Sequence, residues 1–249
     1  LSAGRVQAPL RTPLNVSPDD VTLIMPFYVP SPAEAPGGAL GLKLVSVFNS
    51  NSGRGLPLIH SVVLALDASS GAPLALIEGG SLTAIRTGAG SGAAIDLLAR
   101  KDSKIVAIFG AGPQGKTQLE AACSARNIQT AFIYNPTIAK AELFAKEMAG
   151  QENIPTDIRV AKTPKEAIQS ADIICTATGS TKPIFEDKDV KAGTHISAIG
   201  AYTPEMQELP IETVARSRIV VDSRATIMDE AGDIVKAMQA GLITEANIH

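Results

Sequence analysis

Residues 105–122 read IVAIFGAGPQGKTQLEAA, an apolar run followed by three glycines and then a helical pattern. Gly110, Gly112 and Gly115 stand in G-x-G-x-x-G spacing. That spacing is weak by itself, but here it follows a strand and opens a helix, the context in which a backbone cradles a pyrophosphate. Gly110 permits the tight turn, Gly112 lets the backbone approach a phosphate, and Gly115 lets the helix pack on the strand. The helix N-terminal amides then face the anion. Ala111, Pro113 and Gln114 complete the loop, so residues 110–115 form the candidate cofactor-binding segment. A glycine-rich turn with a structural role alone is the competing reading. A P-loop NTPase is set aside in favour of a dinucleotide-binding fold.

About 20 residues beyond such a loop stands the side chain that holds the adenosine ribose. Counted from Gly115, this position is Asn135, in TAFIYNPT. An Asn bonds a ribose hydroxyl without repelling a 2′-phosphate. Thr137 and Lys140 are close enough in sequence to help a phosphate, and no Arg stands beside them. The expected cofactor is therefore NAD or NADP, with a slight lean to NADP. Asn135 as an ordinary turn residue before Pro136 is compatible with either.

Outward from the loop, short apolar runs alternate with helical patterns: KIVAIF, GKTQLEAACSA, TAFIY, AKAELFAKEMA, IRVA, PKEAIQS, ADIICTA, HISAIG and RIVVD. Strands alternating with helices predict βαβ units, right-handed crossovers and a doubly wound parallel sheet. Residues 1–80 differ, with LGLKLVSVF, SVVLALD and PLALIEG reading as strands and DASSG as a hairpin connection. The expected fold class is α/β, a Rossmann domain over 86–249 plus a smaller strand-rich domain over 1–85, joined by a helix over 82–99. The start without Met and the stop at EANIH mark the chain as a candidate fragment, truncated at both ends.

Composition narrows the function classes. At 45% hydrophobic and 19% charged, with a net charge of -3, the chain carries no block of one sign that would point to nucleic acid or a membrane surface. No apolar stretch approaches a bilayer span or a signal-peptide core. Cys123 and Cys175 are far apart and form no metal-ligand pattern, which suggests reduced core thiols and a cytoplasmic setting. His60, His195 and His249 are scattered, and no metal site is expected.

The stretch SLTAIRTGAG, residues 81–90, sets one arginine among small and apolar residues. On a helix, Leu82, Arg86, Ala89, Ala93 and Leu97 share a face, so the Arg86 guanidinium needs a partner or a cavity. A structural salt bridge and a ligand anchor both satisfy that demand.

Three segments together carry a resemblance. GLPLIHSVVLALDASSGAPLALIEGGSLTAIRTGAGSGAAIDLLAR, then IFGAGPQG, then HISAIGAYTPEMQEL resemble the ornithine cyclodeaminase/mu-crystallin family over nearly the whole chain. Members interconvert imines and amines of amino-acid-like substrates with NAD(P). By that resemblance Arg86 matches the arginine of the RTAA motif, which binds the substrate carboxylate, and Lys43 matches the active-site lysine. Arg11 matches a substrate-side arginine of mu-crystallin-like members, while Arg5 is nearer the cyclodeaminase equivalent. Thr178, Gly179, Ile199 and Gly200 match loops that touch the cofactor. Family members form dimers, which implies a homodimer here, with residues 1–85 as the substrate and dimerisation domain.

The chemistry agrees with these matches. Hydride transfer to C=N requires a fixed carboxylate, and a forked guanidinium provides it. Lys43 is the candidate to bond the carboxylate or protonate the imine, its pKa lowered by a nearby cation; a lysine snorkelling at a sheet edge is its bland alternative. Cyclodeaminases carry a catalytic Asp where this chain has Tyr202, a poor base near neutral pH. Asp222, Asp229, Glu230 and Asp233 read as capping or solvated residues. The expected activity is NAD(P)H-dependent reduction of a cyclic imino acid such as pyrroline-2-carboxylate. The alternatives are an alanine-type dehydrogenase, an ornithine cyclodeaminase and a non-catalytic NADP-dependent carrier.

Overall fold

A computed structural model describes residues 6–31 and 37–249, apart from the side chains of Ser52, Ala225, Thr226 and Asp229. The chain divides into two compact units, Leu1–Ala84 and Ile85–His249, with the boundary inside one helix.

In the first unit, β1 (Thr12–Asn15), β2 (Asp20–Val29), β3 (Ala39–Phe48), β4 (Ile59–Asp67) and β5 (Pro73–Glu78) form an antiparallel sheet in chain order. The β4–β5 hairpin turns on Asp67, whose Oδ1 accepts the backbone and hydroxyl hydrogens of both Ser69 and Ser70. These donors, the Ser69 hydroxyl foremost, hold the Asp67 carboxyl at about 2. Lys43 stands mid-sheet, opposite Met25 on one side and Val63 on the other.

Helix α1 spans Gly79–Leu98 and so begins three residues before the expected start at 82. The cause is Glu78, whose two carboxylate oxygens accept the amides of Gly80 and Ser81 at 2.6 Å each, satisfying first-turn donors that would otherwise be orphaned. Its far end is closed by Arg126. That buried guanidinium donates to the carbonyls of Ile95, Asp96, Ala99 and Arg100 and to the Asp96 carboxylate.

The expectation that Arg86 lies on the apolar face of this helix is corrected. Gly79, Ala84, Gly88, Ser91 and Ile95 are the buried positions, whereas Leu82 and Leu97 are 38% and 81% exposed. The small residues of α1 serve close helix packing: a Cβ at Gly88 would come within 2.7 Å of the Thr117 carbonyl oxygen, on the next helix.

The second unit continues with β6 (Ile105–Phe109), α2 (Pro113–Ala125), β7 (Thr130–Tyr134), α3 (Ile138–Met148), β8 (Ile158–Val160), α4 (Pro164–Ile168), β9 (Ile173–Thr176) and β10 (His195–Ala198). Helices α5 (Ile211–Ala215), α6 (Arg224–Glu230) and α7 (Gly232–Gln239) follow. The sheet is parallel, in the order β10-β9-β6-β7-β8, the doubly wound arrangement. Alternation along β6 explains the two layers. Val106 and Ile108 pack with Leu119 and Phe144 on one face, while Ala107 and Phe109 pack with Ile168 and Phe185 on the other.

The run RIVVD does not extend this sheet. Among the described residues Ile219 makes only an isolated parallel bridge to Ile248, and Ile219 and Val221 pack into the core cluster around Phe109 and Ile168 rather than forming a sixth strand.

Candidate functional site

The glycine loop follows β6 and occupies the crevice where strand order reverses, with β7 on one side of β6 and β9 on the other. Gly110 has φ +102°, and a Cβ there would lie 2.4 Å from the Ala177 carbonyl oxygen. A Cβ at Gly115 would lie 2.0 Å from the Gly110 carbonyl oxygen, so only glycine lets α2 come this close to the strand end. Gly112 is the N-cap of α2, with no capping side chain and open space where a Cβ would stand. First-turn amides without a capping side chain, beside open space, fit the pyrophosphate of a dinucleotide.

Asn135 braces this loop from the end of β7. Its Oδ1 accepts from the Ala111 amide at 3.3 Å, and its Nδ2 donates to the Thr137 carbonyl at 3.1 Å. Thr137 is the N-cap of α3, with its hydroxyl not engaged in capping.

Residues 110–117, GAGPQGKT, also satisfy the G-x-x-x-x-G-K-[ST] spacing of an NTPase P-loop. The structure, rather than the spacing, sets that reading aside. Lys116 is ion-paired with Glu147 on α3, and the Thr117 hydroxyl donates to the Gln114 carbonyl, so both P-loop side chains are engaged by protein partners.

Beyond β9 and β10, Thr178 and Gly200 are joined through a residue the sequence did not single out. Glu208 is fully buried and accepts from the amide and hydroxyl of Thr178, the amide of Gly200 and the hydroxyl of Thr176. Ile199 is held by its amide to the Thr176 carbonyl, at 3.1 Å. Gly179 is exposed just beyond Thr178. Asp233 corrects the solvated-face expectation: it is 5% exposed, and its Oδ1 accepts the amides of Glu208 and Leu209 at 2.7 and 2.8 Å. Burial, helped by the Glu208 charge, pushes the Asp233 carboxyl up to about 6 against these two amides. Asp222 is exposed and Glu230 half-buried, while the Asp229 side chain lies outside the described residues.

In the first unit the Lys43 ammonium donates to Thr83 Oγ1 at 2.8 Å. Thr83 precedes Arg86 by three positions on α1. Arg86 is exposed and forms no ion pair among the described residues, so no structural salt bridge is made there. Arg11 is exposed immediately before β1, and Arg5 lies outside the described residues. Tyr202 is 54% exposed, in the turn after Gly200.

Comparison with known proteins covers both units. A family model described as ornithine cyclodeaminase/mu-crystallin family matches residues 1–247. Delta(1)-pyrroline-2-carboxylate reductase of Bacillus cereus is 39% identical over 249 residues, all of this chain and 74% of that protein. Ketimine reductase mu-crystallin of Mus musculus is 36% identical over 233 residues, 93% of this chain and 71% of that protein. Among solved structures, Thermococcus litoralis Delta(1)-pyrroline-2-carboxylate reductase in complex with NADH and L-proline is 40% identical, with a TM-score of 0.89, over 100% of this chain and 75% of that one.

Proposed function

Because the chain belongs to the ornithine cyclodeaminase/mu-crystallin family, we propose that it reduces pyrroline-2-carboxylate or a closely related cyclic ketimine to the cyclic amino acid. It is an NAD(P)H-dependent oxidoreductase of the CH–NH class. The observation that carries this reading is likeness along the full chain to a reductase solved with NADH and proline, together with a glycine loop that fits a dinucleotide.

The bound reduced nicotinamide supplies the hydride taken up by the imine carbon. Residues 110–115 hold the pyrophosphate by backbone amides, and Asn135 faces the adenosine ribose. Thr178, Gly179, Ile199 and Gly200 line the nicotinamide half. Arg86 binds the substrate carboxylate through its two-pronged guanidinium, aided by Arg11 and Arg5, and so fixes the C=N bond for attack. Lys43, oriented by its bond to Thr83, bonds the carboxylate and supplies the proton that the ring nitrogen needs. Tyr202 replaces the carboxylate that a cyclodeaminase would use to handle water, which supports reduction over deamination.

Asn135 bears no charge to repel a 2′-phosphate, so the cofactor is NADH or NADPH, with a slight lean to NADPH. The ratio of kcat/KM for the two cofactors tests this. The chain acts as a homodimer, a reading supported by the exposed Leu74 and Leu76 on edge strand β5, at 65% and 73%. Light scattering should then report twice the 25.8 kDa chain mass. The free, buried thiols of Cys123 and Cys175, each pushed up to about 12 by burial, suit a reducing compartment, and the cytoplasm is the one we assign. No helix among the described residues is long and apolar enough to cross a membrane.

The activity is tested by following NADH and NADPH oxidation with a panel of cyclic imines. Turnover without ammonia supports the proposal. Turnover only with an open-chain 2-oxo acid plus ammonia would replace it with an amino-acid dehydrogenase.

A further inference from the structure

Glu208 is fully buried, and its surroundings are specific. Its Oε1 accepts the Thr178 amide at 2.6 Å and the Thr178 hydroxyl at 2.7 Å. Its Oε2 accepts the Gly200 amide at 2.8 Å and the Thr176 hydroxyl at 2.6 Å. Thr176 ends β9, Thr178 stands two residues beyond it, and Gly200 stands two residues beyond the end of β10. One carboxylate therefore ties together the loops that leave two neighbouring strands.

Each oxygen receives one backbone amide, and an amide can only donate. Glutamine would set its amide nitrogen, which cannot accept, against a backbone amide hydrogen at whichever position carried it. A lost partner here leaves a buried donor unsatisfied. The chain at Glu208 is itself pinned, because Asp233 at the start of α7 accepts the amides of Glu208 and Leu209. Close approach supports the same fixity: a Cβ at Gly200 would meet Glu208 Oε1 at 2.4 Å.

A doubly wound sheet binds a dinucleotide in two halves across its crevice. The β6–β7 half carries the glycine loop and Asn135, while β9 and β10 carry the loops bound by Glu208. We propose that Glu208 is a positioning residue for the nicotinamide half of the cofactor, holding the Thr178 and Gly200 loops in register without touching the adenosine half. The inference rests on the reading of the chain as an NAD(P)H enzyme.

The test compares binding of NADH, or of NADPH if the wild-type chain prefers it, with binding of ADP, which carries only the adenosine and pyrophosphate portion. Two variants are used, Glu208→Gln and Thr176→Val, the second removing a single hydroxyl donor from a buried strand end. Thermal midpoints establish that each is folded. Loss of one or two buried hydrogen bonds should raise the Kd for the reduced cofactor about tenfold in Glu208→Gln and about threefold in Thr176→Val, with the Kd for ADP within about twofold of wild type. Should Glu208→Gln fail to fold, Thr176→Val decides alone. Unchanged cofactor binding in the folded variants, or ADP binding weakened in step with it, overturns the positioning role. A wild-type chain that binds neither nicotinamide cofactor would instead remove the functional reading on which the inference stands.

Discussion

Arg86 shows how much one side chain can decide. Its sequence context left a salt bridge and a ligand anchor open, and its exposure without an ion pair among the described residues leaves the guanidinium available to a carboxylate. Arg86→Lys keeps the charge but removes the fork. It should lower kcat/KM for the cyclic imine about 100-fold with no change in thermal midpoint; a stability loss with normal turnover per folded molecule would return Arg86 to a structural role. Gly110, Gly112 and Gly115 were legible because their demands are local: a turn, a close approach and a helix start within six residues. Glu208 and Asp233 were not. Their partners are 32 and 25 positions away, as between Thr176 and Glu208 or Glu208 and Asp233, and one-dimensional spacing does not register such pairs.

At the level of elements, the strand–loop–helix unit of β6 and α2 is where local sequence and tertiary demand coincide. Gly115→Ala would drive a methyl group into the Gly110 carbonyl. The variant should lose nicotinamide binding by at least about tenfold, read by titration of cofactor fluorescence, because the loop must open to relieve the overlap. At the opposite end of the sheet, Asp172 links the starts of β6 and β9. It accepts the amides of Lys104 and Ile105 and the side chains of Arg100 and Lys191. Burial opposes its ionisation, but the Lys104 amide, Lys191 and the Ile105 amide outweigh it and hold the carboxyl at about 2. A depressed carboxyl contributes stability that is fully present above its ordinary value of 3.8 and is lost as pH falls through about 2. Asp172→Asn should therefore cost roughly 1–2 kcal/mol at pH 7, after allowance for the partly exposed cations, and should flatten the acid limb of urea-unfolding stability. Equal pH slopes in the two proteins would contradict the assignment. Element ends were less legible than element types. Glu78 moved the start of α1 to Gly79 because an acidic side chain before two glycines can cap from outside the apolar pattern. RIVVD has the composition of a strand, yet among the described residues its only bridge is at Ile219, since apolar runs of that length can serve a core without joining a sheet.

For the whole molecule, alternation of strands with helices after residue 104 and hairpin-linked strands before residue 80 foreshadowed a parallel sheet and an antiparallel one, and both are present. Period and punctuation carry that information, because parallel strands need crossovers while antiparallel ones need only turns. The substrate was not legible in the same way. The proposed carboxylate recognition by Arg86 and proton supply by Lys43 suit several imines and amino acids, and likeness to pyrroline-2-carboxylate and ketimine reductases narrows the choice to cyclic ones. The central claim is cyclic-imine reduction, and the most direct measurement of it is an ammonia-free assay of the purified chain with pyrroline-2-carboxylate and either reduced nicotinamide cofactor, following cofactor absorbance and proline together. The account predicts one proline formed for each cofactor oxidised. Absence of cofactor oxidation with this and other cyclic imines, in a folded chain that binds the cofactor, would contradict it.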